Sequence, residues 1–282
     1  MMKALGLPPI QFGIELEHDA GIGYNIDALA SSIYQTGYGY NDKAYGHHSM
    51  KHSPFFFHQR GWLTETDESV TGGEIISPVM TDSDETWTAV NTIVNLIIEH
   101  NGSTHTTDSS CHIHLDTSVL GTSVEKWGRF FSYVYQYQDL LTLIGTNPVR
   151  GTHRQNGNSD FDNQFIGMKN VRELVERNVS CDLVLSTRDV DPVTGNGHIE
   201  YRLNDASLDV GVIRAQVACL VGMMWSAVRM RKAPKNKDLN SFLDAFLVDS
   251  PSAYAVVEDC VVRVSDSRGL GREGQLDYAL LC

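Results

Sequence analysis

The chain has 282 residues, about twice the usual domain length of ~150, and combines 41% hydrophobic with 20% charged residues and only 8 Pro against 24 Gly. That mix excludes disorder and collagen and describes a soluble globular chain whose core can be large enough to need no staples. The net charge of -13 is concentrated at the front, with 13 acidic against 4 basic residues in 1–100, which excludes broad attraction to nucleic acid or anionic lipid. Five cysteines (Cys111, Cys181, Cys219, Cys260, Cys282) without a CxxC pair read as reduced thiols of a cytoplasmic protein. No apolar run approaches the ~18–20 residues of a membrane span, and MMKALGLPPI lacks the apolar centre of a signal peptide.

Residues 9–18 (PIQFGIELEH) alternate like a strand, and a helix follows over 25–35. Residues 36–60, rich in Gly, Tyr and His, read as a long loop, and 62–78 as two short extended runs. A helix over 84–100 stops at Asn101-Gly102, and CHIHLD (111–116) is a strand. A capping box from Thr122 to Glu125 opens a long helix that ends near Gly145; 146–164 is a loop and 168–178 a helix. DLVLSTR (182–188) and HIEYRLN (198–204) read as strands joined by a turn at 192–197. Asp209 caps a helix running to about Arg231, the basic stretch 229–237 is a solvated helix end and linker, and 238–248 is a shorter helix. The pattern is α+β in a single domain over 1–282, with a motif-bearing core at about 9–209 and C-terminal helices and tail over 210–282.

Alternation puts every second side chain of a strand on one face. In FGIELE, Glu15 and Glu17 oppose Phe12, Ile14 and Leu16. In CHIHLD, His112, His114 and Asp116 oppose Cys111, Ile113 and Leu115. In HIEYRLN, His198, Glu200, Arg202 and Asn204 oppose Ile199, Tyr201 and Leu203. Each face could be the ordinary solvent side of an antiparallel sheet. The Lys, Thr and Ser frequent on such faces are absent from all three, and neighbouring carboxylates repel unless a cation or a shifted proton relieves them. Mostly oxygen ligands with one or two His suit Mg²⁺ or Mn²⁺ better than Zn²⁺.

FGIELE, DESVTGGEIISP, HIHLD and HIEYR, in that order over about 11–209, resemble the amidoligase family, a branch of the carboxylate–amine ligases with a glutamine-synthetase-like fold. That resemblance implies a curved, mostly antiparallel sheet with helices packed on its outer face. It implies Glu15, Glu17 and Glu74 as metal ligands, with His112 or His114 and Glu200 holding the metal that bridges the ATP phosphates. Arg202 would neutralise the transferring phosphoryl group, and Asp67, in the D-x-S element, would orient or deprotonate the amine. Arg150, or Arg154 beside it, would contact a substrate carboxylate or phosphate. Where the family reads C-G before its x-H-x-H strand, this chain has Ser109-Ser110.

The chemistry implied is an ATP- and Mg-dependent union of a carboxylate with an amine through an acyl phosphate, forming an amide or isopeptide bond. The substrates would be an amino acid, peptide or polyamine, with no nucleic acid or membrane partner and a possible homo-oligomer. Two other readings stand beside it: a metal-dependent hydrolase using the HIH strand, and an inactive ligase-like binding or structural subunit. A GxGxxG match at Gly269, Gly271 and Gly274 has no room for a βαβ unit after it. His47, His48, His52 and His58 match no usual zinc spacing and read as polar loop residues.

Overall fold

The computed structural model describes residues 9–46, 61–105, 109–148, 168–178, 184–229 and 231–267. Arg150, Arg154, the four histidines of 47–58 and the 269–274 glycines lie outside them. The chain is α+β and divides into two compact bodies, one formed by 11–113 with 205–210, the other by the remainder.

The first body begins with β1 (Phe12–Ala20), which leads into α1 (Ile26–Gln35). Asn25 caps α1 by accepting from the backbone N–H groups of Asp27 and Ala28 at 3.0 and 3.1 Å. Then come β2 (Leu63–Glu65), β3 (Gly73–Ile76), α2 (Asp84–Glu99), the two-residue β4 (Gly102–Ser103) and the start of β5 (Ser110–Asp116). The strands lie in the order β2-β3-β1-β5, with β4 also on β1, and the β1–β3, β1–β4 and β2–β3 pairs run antiparallel. Phe12, Ile14 and Leu16 are buried together with Leu29 and Ile33 of α1 and Val90, Ile93 and Ile97 of α2, and Phe12 stacks on Trp87 at 5.9 Å between ring centroids. The region read as a loop after residue 36 is partly ordered. Tyr40 and Tyr45 donate backbone N–H groups to Trp62 and Thr64 carbonyls, so 39–45 runs beside β2 and covers its edge.

Two glycines let β3 begin where it does. A Cβ on Gly72 would meet the His18 carbonyl oxygen at 2.4 Å. Gly73 has φ 133°, outside the range of L side chains, and a Cβ there would lie 2.6 Å from the Glu65 carbonyl oxygen. Gly73→Ala is expected to cost at least about 2 kcal/mol, read as a lower midpoint in denaturant unfolding.

The second body takes up the end of β5 and continues with α3 (Val124–Gln136), α4 (Gln138–Gly145), α5 (Val171–Arg177), β6 (Leu185–Val190), β7 (Gly197–Asp205), α6 (Val210–Val228), α7 (Leu239–Phe246) and α8 (Pro251–Ser267). The long helix expected from Thr122 is two. Tyr137 leaves helical geometry at φ -112° and ψ 19°, and the cap is Ser123, which accepts from Lys126 N, rather than Thr122. α6 corrects a second expectation. Among the described residues it is one helix long and apolar enough to cross a membrane, and it is mostly buried as the core helix of its body, including Met223, Met224 and Trp225. Ile199, Tyr201 and Leu203 form the buried apolar face of β7, as alternation requires. Tyr133 and Tyr137 pack on Phe246 and donate their hydroxyls to the Arg231 and Asn236 carbonyls, which pins the linker after α6.

Candidate metal centre

The polar face of β1 is not a solvent face. Glu15, Glu17 and Glu74 are 1%, 5% and 1% exposed, and His112 is 3% exposed. Antiparallel register sets Glu17 directly opposite Glu74, so one ladder position brings two carboxylates together. Ligand atoms of Glu17, Glu74 and His112 all lie within 4.8 Å of one another. His112 Nδ1 sits 3.1 Å from Glu15 Oε2, and its Nε2 lies 2.8 Å from Ser110 Oγ and 3.8 Å from Glu17 Oε1. Ser110 also donates its backbone N–H to Glu17 Oε2 at 2.7 Å. The residue standing where the resembled family has Gly thus supports both His112 and Glu17.

The register adds a residue that motif reading passed over. Glu65 on β2 pairs with Glu74, making a row Glu65–Glu74–Glu17 across three strands, and Glu65 is fully buried. Only the strand pairing shows this, since Glu65 stands alone in an unremarkable LTE run. Two carboxylate charges ~5 Å apart repel by about 3 kcal/mol at an effective dielectric constant of 20. Four buried carboxyls beside one imidazole make a donor set that could hold a divalent cation. The donor set, oxygen-rich with one nitrogen, fits Mg²⁺ or Mn²⁺.

Two neighbours of the cluster serve other ends. Cys111 points to the apolar side, and its thiol is pushed well up by burial and by the nearby Glu17 and Glu15 charges. His18, on the same side of β1 as Leu16, bonds Tyr24 Oη at 2.5 Å, and burial lowers its imidazole to about 4. It stays neutral and packs as a core residue.

The remaining expected residues fall in three places. Asp67 is half-buried and accepts from the backbone N–H of Ser69 at 2.6 Å and from its hydroxyl, a local turn. In the second body, Arg202 Nη1 donates to Glu200 Oε1, with side-chain exposures of 30% and 11%. His114 meets His198 edge-on at 4.8 Å between centroids. Of the two histidines in HIH, His112 is the one among the Glu15, Glu17 and Glu74 carboxylates.

No family model matches the chain, and no curated protein matches it. Among solved structures, the chain is similar to the ligase PafA in the crystal structure of its complex with the prokaryotic ubiquitin-like protein Pup. The likeness is remote, with 13% identity and a TM-score of 0.37 over 96% of this chain. The matched region covers 62% of PafA, so the chain spans less than two thirds of that protein's length.

Proposed function

We propose that the protein is an ATP- and Mg²⁺-dependent carboxylate–amine ligase on a glutamine-synthetase-like fold. The observation that carries the proposal is the buried cluster of Glu15, Glu17, Glu74 and His112, joined by Glu65. Burying several carboxyls in one cluster is costly where apolar side chains would pack as well, and ligand atoms held this close together are what a divalent cation needs. A bound Mg²⁺ or Mn²⁺ would neutralise phosphate oxygens and hold the nucleotide in line.

The chain's own residues supply the other parts. Glu15, Glu17, Glu74 and His112 provide the oxygen-rich ligand set, with Glu200 as a further metal ligand. Arg202 offers a planar guanidinium that binds phosphate oxygens bidentately and stays charged. The substrate carboxylate takes the γ-phosphoryl group of ATP, releasing ADP, and the amine then displaces phosphate from the acyl phosphate to give the amide. Asp67 accepts the proton that the amine loses. Arg150 would contact the acid substrate, and His114 would lie near the nucleotide. Amino acids, peptides and polyamines are the substrate classes to try.

An ADP-release screen over amino acids and polyamines tests this. ADP should form only when Mg²⁺, a carboxylate and an amine are all present. Turnover with Zn²⁺ and no nucleotide would replace the reading with a hydrolase, and no turnover across the screen would favour a binding subunit.

A further inference from the structure

Ser110 supplies no ligand to the carboxylate cluster, yet it touches two residues that do. It is fully buried on β5, two positions before His112 and on the same face of the strand. Its hydroxyl lies 2.8 Å from His112 Nε2, and its backbone N–H donates to Glu17 Oε2 at 2.7 Å. The other ring nitrogen, His112 Nδ1, lies 3.1 Å from Glu15 Oε2. An ionised carboxylate only accepts hydrogen bonds, so Nδ1 keeps its proton and Nε2 is the nitrogen left to bind an ion. Nε2 also lies 3.8 Å from Glu17 Oε1. A metal takes the same lone pair that a hydrogen-bond donor takes, so an ion on Nε2 and the Ser110 hydroxyl on Nε2 exclude each other.

We propose that the Ser110 hydroxyl is a built-in competitor for the metal-binding nitrogen of His112, so that an ion enters the carboxylate cluster only by displacing it. The inference rests on the metal centre of the ligase reading and adds a regulating residue to it. With no ion bound, the hydroxyl donates to Nε2, satisfies a buried acceptor and fixes the ring against Glu15. When an ion binds, the hydroxyl turns away about its one side-chain torsion and that hydrogen bond is lost. The backbone N–H of Ser110 stays on Glu17, because it does not depend on the side chain. The cost of displacement lowers the affinity for a bare ion. Loading is then favoured when nucleotide phosphates bring further oxygen ligands with the ion. Ser110 acts through His112, which makes it a positioning residue of the centre.

Titration of the full chain with Mn²⁺ alone, followed by the paramagnetic resonance signal of the free ion, tests this without any turnover. Ser110→Ala removes the hydroxyl and keeps the backbone N–H. It should bind Mn²⁺ about two- to tenfold more tightly than the wild type, the range that one net hydrogen bond spans. The same variant, free of metal, should unfold at a lower denaturant concentration, because Nε2 has lost its donor. A residue with a structural role alone would weaken both. Ser110→Gly also removes the hydroxyl and carries the affinity comparison if Ser110→Ala does not fold. Equal or weaker binding in the variants, with Mn²⁺ bound by the wild type, would overturn the role of Ser110 and leave the metal centre standing. Mn²⁺ bound by neither wild type nor variants would overturn the metal centre and the competitor together.

Discussion

Glu74→Gln should make the metal-free protein more stable and nearly inactive at once. Glu74 is the middle carboxylate of the Glu65–Glu74–Glu17 row, with a buried partner directly opposite on each side. Removing its charge while keeping its shape relieves two repulsive pairs, each worth about 3 kcal/mol at ~5 Å before screening. A gain of about 1–3 kcal/mol in unfolding free energy, measured without divalent cations, is the expected outcome. Added Mg²⁺ and ATP should then stabilise the variant less than the wild type, reversing the order of the two proteins. Turnover should fall by about 10²–10³-fold, as loss of one preorganised charged group commonly causes. A variant destabilised as by any core lesion, with its response to Mg²⁺ intact, would show that the row is not a cation site.

The second large effect is expected at Arg202. Arg202→Ala should lower kcat by about 10²–10³-fold while the protein stays folded. Arg202→Lys should recover only part of the loss, because a point charge does not reproduce the bidentate fork. The competing account is a plain ion pair between Glu200 and Arg202, worth about 0–1 kcal/mol to folding and nothing to turnover. The two accounts separate in one assay: folded Arg202→Ala with unaltered ATP turnover supports the ion pair, and a collapsed kcat supports the phosphoryl contact. Glu200→Gln adds a check, since weaker nucleotide binding accompanied by lost turnover is expected of a metal ligand.

Strand alternation was enough to read Glu15 and Glu17 onto one face and to set Glu200 and Arg202 on a common face of β7, because the rule needs only the sequence period. It was not enough to show that the polar face of β1 is buried, since burial depends on what other segments cover it. Glu65 escaped for a related reason. Its partner Glu74 is nine positions away, and the intervening Gly72-Gly73 sets a register that no local pattern encodes. A bulge between Ser186 and Asp189 inserts one residue, so β6 departs from the plain strand read over 182–188, and no local pattern marks it. The break between α3 and α4 falls at Tyr137, where no Gly or Pro marks it; the residue is held by its hydroxyl and by Phe242 and Phe246, contacts made far along the chain. α8 carries Pro251 at its first position, a favourable helix start that composition alone does not distinguish from a turn.

Calorimetric titration of ATP into the protein, with and without Mg²⁺, decides whether the buried carboxylate cluster binds nucleotide through a divalent cation. Heat of binding is expected at millimolar or lower nucleotide only when Mg²⁺ or Mn²⁺ is present, and its loss is expected in Glu74→Gln. Binding of equal strength without any divalent cation, or none at millimolar ATP with Mg²⁺ supplied, would contradict it.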